Sequence, residues 1–91
     1  MVSRSQIQVA LVKALIDMQT INGKSIPVID ESTHPIGDLE GFDSLSALEI
    51  SFSLSVLLGI DIEPKIELFA KNGRTHSVGE IVEHIYQQLN L

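Results

Sequence analysis

One serine in this chain stands where a hydroxyl could do chemistry, although by position alone it reads as a plain first-turn serine beside a capping Asp. Ser44 stands between Asp43 and Leu45, where a stretch punctuated by Gly and Pro gives way to a helical pattern. A hydroxyl in the first turn of a helix is open to an incoming reagent. Asp43 is spaced to cap the same helix, with its carboxylate near the positive end. Other reactive residue types are sparse. The histidines His34, His76 and His84 lie far apart in sequence with no metal-ligand spacing, so solvated or capping roles are expected and no metal site. There is no cysteine, which rules out a disulfide and a thiolate metal site. Thioester chemistry would therefore need an imported sulfur. No nucleophile elbow with a Ser/His/Asp set and no Gly-rich phosphate loop is present, so no enzyme is expected.

The elements that must position Ser44 follow from periodicity. Ser5 to about Thr20 reads as a first helix: Ile7, Leu11, Leu15 and Met18 recur at helical spacing, with Val12 and Ala14 widening the stripe. Ser3 or Ser5 can cap its start, and Asn22-Gly23 stops it. From Lys24 to Asp43 no period holds, and Pro27, Pro35, Gly37 and Gly41 punctuate a long loop. Ile26, Val28, Ile29, Ile36, Leu39 and Phe42 are scattered through it, which predicts that it packs over the helices. Ser44 to Leu58 is the second helix, ended by Gly59. Ile60 to Pro64 is extended, Ile66 to Ala70 gives one helical turn, and Asn72-Gly73 a further turn. The last helix opens on Ser77-Val78-Gly79-Glu80, a capping-box pattern, and continues through Ile81, Val82, Ile85 and Leu89. No strand pattern is visible. The fold expected is all-α: one domain over residues 1–91, a small bundle of three main helices and a minor fourth, with a long loop between the first two.

The 91 residues are 44% hydrophobic but only 4% aromatic, so the core must be aliphatic. Twelve acids against six Lys and Arg give a net charge of −6, which argues against nucleic acid as a partner. Eight of those acids (Asp30, Glu31, Asp38, Glu40, Asp43, Glu49, Asp61, Glu63) fall in a segment without a single Lys or Arg. Such a segment is either a solvated surface or a field that steers basic partners. No signal peptide and no apolar run of membrane-spanning length is visible, so a cytoplasmic protein is expected.

The second helix carries apolar residues on two sides. Ala47, Ile50, Leu54, Leu57 and Leu58 share one face at about 100° per residue. Leu45, Leu48, Phe52 and Val56, with Glu49 beside them, share nearly the opposite one. Either this helix is central and covered on both sides, or its second stripe is exposed and docks partners. Ser51, Ser53 and Ser55 could line a channel or be tolerated helix positions.

The run Gly41-Phe42-Asp43-Ser44-Leu45, continued by Ser46-Ala47-Leu48-Glu49-Ile50, resembles the modification site of acyl and peptidyl carrier proteins. The Ile60-Asp61-Ile62-Glu63 stretch after the helix is similar to that family as well. So is the Thr75-His76-Ser77-Val78-Gly79-Glu80-Ile81 approach to the last helix, and the resemblance spans nearly the whole chain. It implies an acyl-carrier-like bundle in which 4'-phosphopantetheine from coenzyme A is attached to Ser44, with Asp43 and Leu45 at the attachment site. Asp43 would orient the serine and help hold the transferase's metal. The implied partners are a phosphopantetheinyl transferase and acyl-transferring or acyl-activating enzymes, docked on Leu45, Leu48, Glu49, Phe52 and Val56. The resemblance also implies an acyl chain lodged between the second and later helices, lined by Ile50, Leu54, Ile62, Phe69 and Ile81.

The chain departs from the family's pattern in one respect. Fatty-acid carriers have a strongly acidic second helix, whereas here Glu49 is its one acid and Ser46, Ser55 and Val56 stand at positions often acidic. A specialised stand-alone acyl carrier is therefore expected, monomeric, with its own partner set in fatty-acid, polyketide or related biosynthesis. Acidity and free-standing length favour an acyl over a peptidyl or aminoacyl carrier. The reading from a different class is an unmodified interaction module that docks through the second helix.

Overall fold

The computed structural model describes residues 2–89. Helix α1 runs Arg4–Ile21, a single turn α2 Pro35–Asp38, helix α3 Ser44–Leu58 and helix α4 Val78–Leu89, with a 3-10 turn at Ile66–Leu68 and two short strands, β1 Ala70–Lys71 and β2 Arg74–Thr75. This is a small, mostly helical domain with one minimal sheet.

Each main helix begins on a side-chain cap. Ser3 Oγ accepts from the Gln6 amide at 3.2 Å while the Ser3 amide donates to Gln6 Oε1 at 2.8 Å. Ser77 and Glu80 make the same reciprocal pair at the start of α4, at 3.2 and 2.9 Å. These caps satisfy amides that no helical carbonyl reaches. Helix α3 ends at Gly59, whose φ of 65° is left-handed, and the Ile60 amide closes the last turn on the Ser55 carbonyl at 3.1 Å.

Helix α1 packs against both α3 and α4. It buries Ile7, Leu11, Ala14 and Leu15 against Ala47, Ile50 and Leu54 of α3 and Val78, Ile81, Val82 and Ile85 of α4, all within one core cluster. An Arg4–Glu83 ion pair at 2.6 Å joins α1 to α4 across the surface, and the Arg4 guanidinium lies 3.9 Å from the centre of the Tyr86 ring. Gln19 is also buried, with its amide donating to the Glu40 carbonyl at 3.1 Å.

The long loop is ordered rather than structureless. Asp30 accepts from the Ser32 amide and hydroxyl at 2.9 and 2.6 Å, a local turn that holds the chain beside α4. The amides of Val78 and Gly79 then donate to the Thr33 and Glu31 carbonyls at 2.8 and 2.9 Å, so the loop satisfies part of α4's first turn. Leu39 and Phe42 enter the core as expected, but Val28 is 87% exposed and Ile26 is 43% exposed.

Three expectations need correction. The chain does contain strands, pairing Ala70 with Thr75 and Lys71 with Arg74 about the Asn72-Gly73 turn. Both turn residues have positive φ, 55° and 76°, the geometry that suits a two-residue hairpin. Two residues per strand are too few to leave an alternating pattern. His76 is not solvated. It is buried, with Nδ1 3.0 Å from the Leu68 carbonyl, and its ring stacks on His84 at 5.1 Å, which brings together two histidines that the sequence separates. Leu57, grouped with the inward face of α3, is 48% exposed, because the buried arc centres on Ala47 and Leu54 and extends toward Ser51 instead.

Candidate functional site

Helix α3 and the loop before it present Ser44. Asp43 has an extended backbone at the N-cap, and its Oδ1 accepts from both the amide and the hydroxyl of Ser46 at 3.0 Å each. Those bonds, the Ser46 amide first, hold the Asp43 carboxyl below the usual carboxylate range. The Ala47 amide donates to the Asp43 carbonyl at 3.0 Å. The cap is therefore bound to Ser46, and Asp43 makes no side-chain hydrogen bond to Ser44.

Ser44 is the first residue of α3 and is exposed. Its hydroxyl has no hydrogen-bond partner among the described residues. Ser46, Ser51 and Ser55 of the same helix are engaged. Ser51 is fully buried and donates to the Ala47 carbonyl at 2.9 Å. Ser55 donates to the Ser51 and Ile62 carbonyls at 3.3 Å and accepts from the Ile62 amide at 3.1 Å, tying α3 to the segment after Gly59. These two serines satisfy backbone groups.

The outward side of α3 is bare. Leu45 is 63%, Leu48 38%, Phe52 66% and Val56 71% exposed, and Glu49 is exposed among them. The helix is therefore not central: α1 and the 3-10 turn cover one side of it, and these five residues form a contiguous outer stripe. Burying a side chain of this size is worth about 1.5–3 kcal/mol, so a stripe left in water is available to a partner.

The five residues expected to line an acyl chain come together differently. Ile50, Leu54, Ile62, Phe69 and Ile81 are all buried, in one cluster with α1. Phe69 meets Phe42 with ring centres 5.7 Å apart. Ile50 alone of the five also lines an open groove between α1 and α3. Among the described residues no group of three or more His, Cys, Asp or Glu gathers in a metal-holding arrangement, and no helix is long and apolar enough to cross a membrane.

Two features of this surface escaped the sequence reading. Ile21, the last residue of α1, is 83% exposed beside α3's outer side. Val9 and Ile16 are 70% and 38% exposed on another part of α1, by Ile29 of the loop. The surplus of apolar residues in the first helix, beyond one stripe, was the available signal. Comparison of the chain with protein-family models, with curated proteins and with solved structures gives no match.

Proposed function

We propose that this chain is a carrier protein that holds acyl intermediates as thioesters on a 4'-phosphopantetheine arm attached to Ser44, and presents them to partner enzymes in fatty-acid, polyketide or related biosynthesis. The observation that carries the reading is Ser44 itself: an exposed first-turn hydroxyl without a hydrogen bond, next to a cap whose carboxylate is occupied by Ser46. Attachment requires the hydroxyl oxygen to attack the pyrophosphate of coenzyme A. A phosphodiester to Ser44 forms, the bond between the two phosphates breaks, adenosine bisphosphate leaves, and the hydroxyl proton passes to a base on the transferase. The residues present fit such a group, since nothing covers the hydroxyl and the positive end of a 15-residue helix lies under the new charge. The arm supplies the thiol that a chain without cysteine lacks.

In this reading the chain presents the group and its partners do the chemistry. The outer stripe of α3 starts one residue after the attachment point, so a partner docked on Leu45, Leu48, Phe52 and Val56 has the arm's anchor at the edge of its footprint. The test is intact mass after incubation with coenzyme A, magnesium and a broad-specificity phosphopantetheinyl transferase. A gain of one arm, abolished by Ser44→Ala, is expected. No gain, under conditions that modify a control carrier, would turn the reading to its rival.

That rival is an unmodified interaction module, favoured by the exposure of Phe52 and Val56. It requires that Ser44→Ala leave partner binding and function intact, which the carrier reading does not allow.

A further inference from the structure

The outer stripe of α3 does not end at the helix edge. An open groove of about 470 Å³ lies between α3 and the C-terminal half of α1. Met18 and Ile21 of α1 face Phe52, Val56 and Leu57 of α3 across it. Three of these, Ile21 at 83%, Phe52 at 66% and Val56 at 71%, are more exposed than a small domain needs to leave its large apolar side chains.

Two ionisable residues line the groove, Asp17 and Glu49, and no Lys or Arg does. Asp17 is neutralised by Lys13 at 2.8 Å, whereas Glu49 has no ion pair or hydrogen bond among the described residues. The groove's uncompensated charge is therefore that of Glu49. Another apolar groove on α1, beside Ile29, has Lys13 and Asp17 as its two charges, which neutralise each other.

We infer that the α1–α3 groove is the seat of an amphipathic helix from a partner protein, with apolar anchors flanked by Lys or Arg, so that α1 supplies half of the docking surface. The groove follows α3 from Glu49 to Leu57, about 12 Å at 1.5 Å per residue. That is two helical turns, the span covered by anchors at i, i+3, i+4 and i+7. A basic flank would meet Glu49 and be steered by a chain of net charge −6. A second copy of this chain is a poorer occupant, since it would bring another −6 and a second Glu49 to the contact. The inference rests on the docking part of the proposed function and not on the arm.

The probe is a 15-residue synthetic helix with Leu at i, i+3, i+4 and i+7 and Lys on both flanks, beside a twin with Glu on the flanks. Each is titrated into the full unmodified chain while backbone amide NMR shifts are followed. The Lys peptide is expected to bind, with shifts grouped at Met18, Ile21, Phe52 and Val56. Its affinity should fall about tenfold in Ile21→Ser, Val56→Ser or Glu49→Lys, and fall in high salt. All three sites are exposed, so the variants should keep the wild-type circular dichroism. No binding of the Lys peptide, equal binding of the Glu twin, or shifts grouped in the groove beside Ile29 would each overturn the inference. So would a self-associated chain with Ile21 and Phe52 buried in its interface. None of these outcomes touches Ser44, so the mass measurement of the carrier reading stands or falls separately.

Discussion

Helices α3 and α4 are of similar length and lie on the same partner, α1, yet they are built to different ends. Helix α4 has one buried stripe, Val78, Ile81, Val82 and Ile85, and its outer face is fastened by charge. Glu80 meets Arg74 at 2.6 Å, and Glu83 meets Arg4 at 2.6 Å and Gln87 at 3.1 Å. Helix α3 has a buried stripe of the same kind, but its outer face holds Leu45, Leu48, Phe52 and Val56 with a Glu49 that has no pair among the described residues. The outer face of α4 is tied to its neighbours by these pairs. The outer face of α3 carries an apolar stripe instead, and that stripe adjoins Ser44.

If this contrast is right, the two sides of α3 respond in opposite ways to mutation. Leu54→Ala, at a position with no exposed surface, is expected to cost about 2–5 kcal/mol in denaturant unfolding. Phe52→Ser and Val56→Ser are expected to stay within about 0.5 kcal/mol of wild type. Equal losses at Leu54 and Val56 would mean that the outer stripe is covered in solution and would dissolve the comparison.

Helix α4 is expected to yield smaller, purely structural effects. Ser77→Ala removes the cap that accepts from the Glu80 amide and should cost about 1 kcal/mol. The same variant should leave transfer to Ser44 unchanged. Acid should act chiefly through α4 as well. Glu80 is held down to about 2, by the Ser77 amide first and then by Arg74, and Glu83 to about 2, by Arg4 and then Gln87. Their folded values lie below the ordinary 4.5, so their contribution is complete above that pH and is lost as pH falls toward about 2. Glu83→Gln should flatten the fall in stability over that window, and added salt should weaken the wild-type dependence, since these pairs are exposed. An unchanged acid profile in Glu83→Gln would remove the Arg4–Glu83 pair from the account.

How far the sequence could be read follows the same division. The starts of α3 and α4 were legible because Asp43 and Ser77 act on amides three residues away, that of α1 was legible only as Ser3 or Ser5, and the end of α3 was legible because Gly59 takes a left-handed φ. Local chemistry of that kind is written in adjacent residues. What stayed hidden depended on distant partners. Gln19 is buried because Glu40, across the loop, offers a carbonyl to its amide. His76 is buried because Leu68 does the same, and a hairpin of two residues per strand has no room for a period. The two apolar sides of α3 were visible, but which one would be covered was settled by where α1 lies, and Leu57 at the edge of the arc fell on the open side. At the candidate site the position of Ser44 was legible, whereas the turning of the Asp43 carboxylate onto Ser46 was not.

The measurement that bears on the whole account is the mapping of the arm within the chain. Ser44 and Ser53 are the two serines of α3 whose hydroxyls have no hydrogen bond among the described residues, and they sit at opposite ends of the contrast: Ser44 at the exposed start of the helix, Ser53 within it at the α1–α3 groove. Wild type, Ser44→Ala and Ser53→Ala would be incubated side by side with coenzyme A, magnesium and the transferase, digested, and their peptides weighed. The account predicts one arm on the peptide containing Ser44 in wild type and in Ser53→Ala, and none in Ser44→Ala. An arm that persists in Ser44→Ala, or a wild-type chain left unmodified beside a control carrier that is fully loaded, would contradict it.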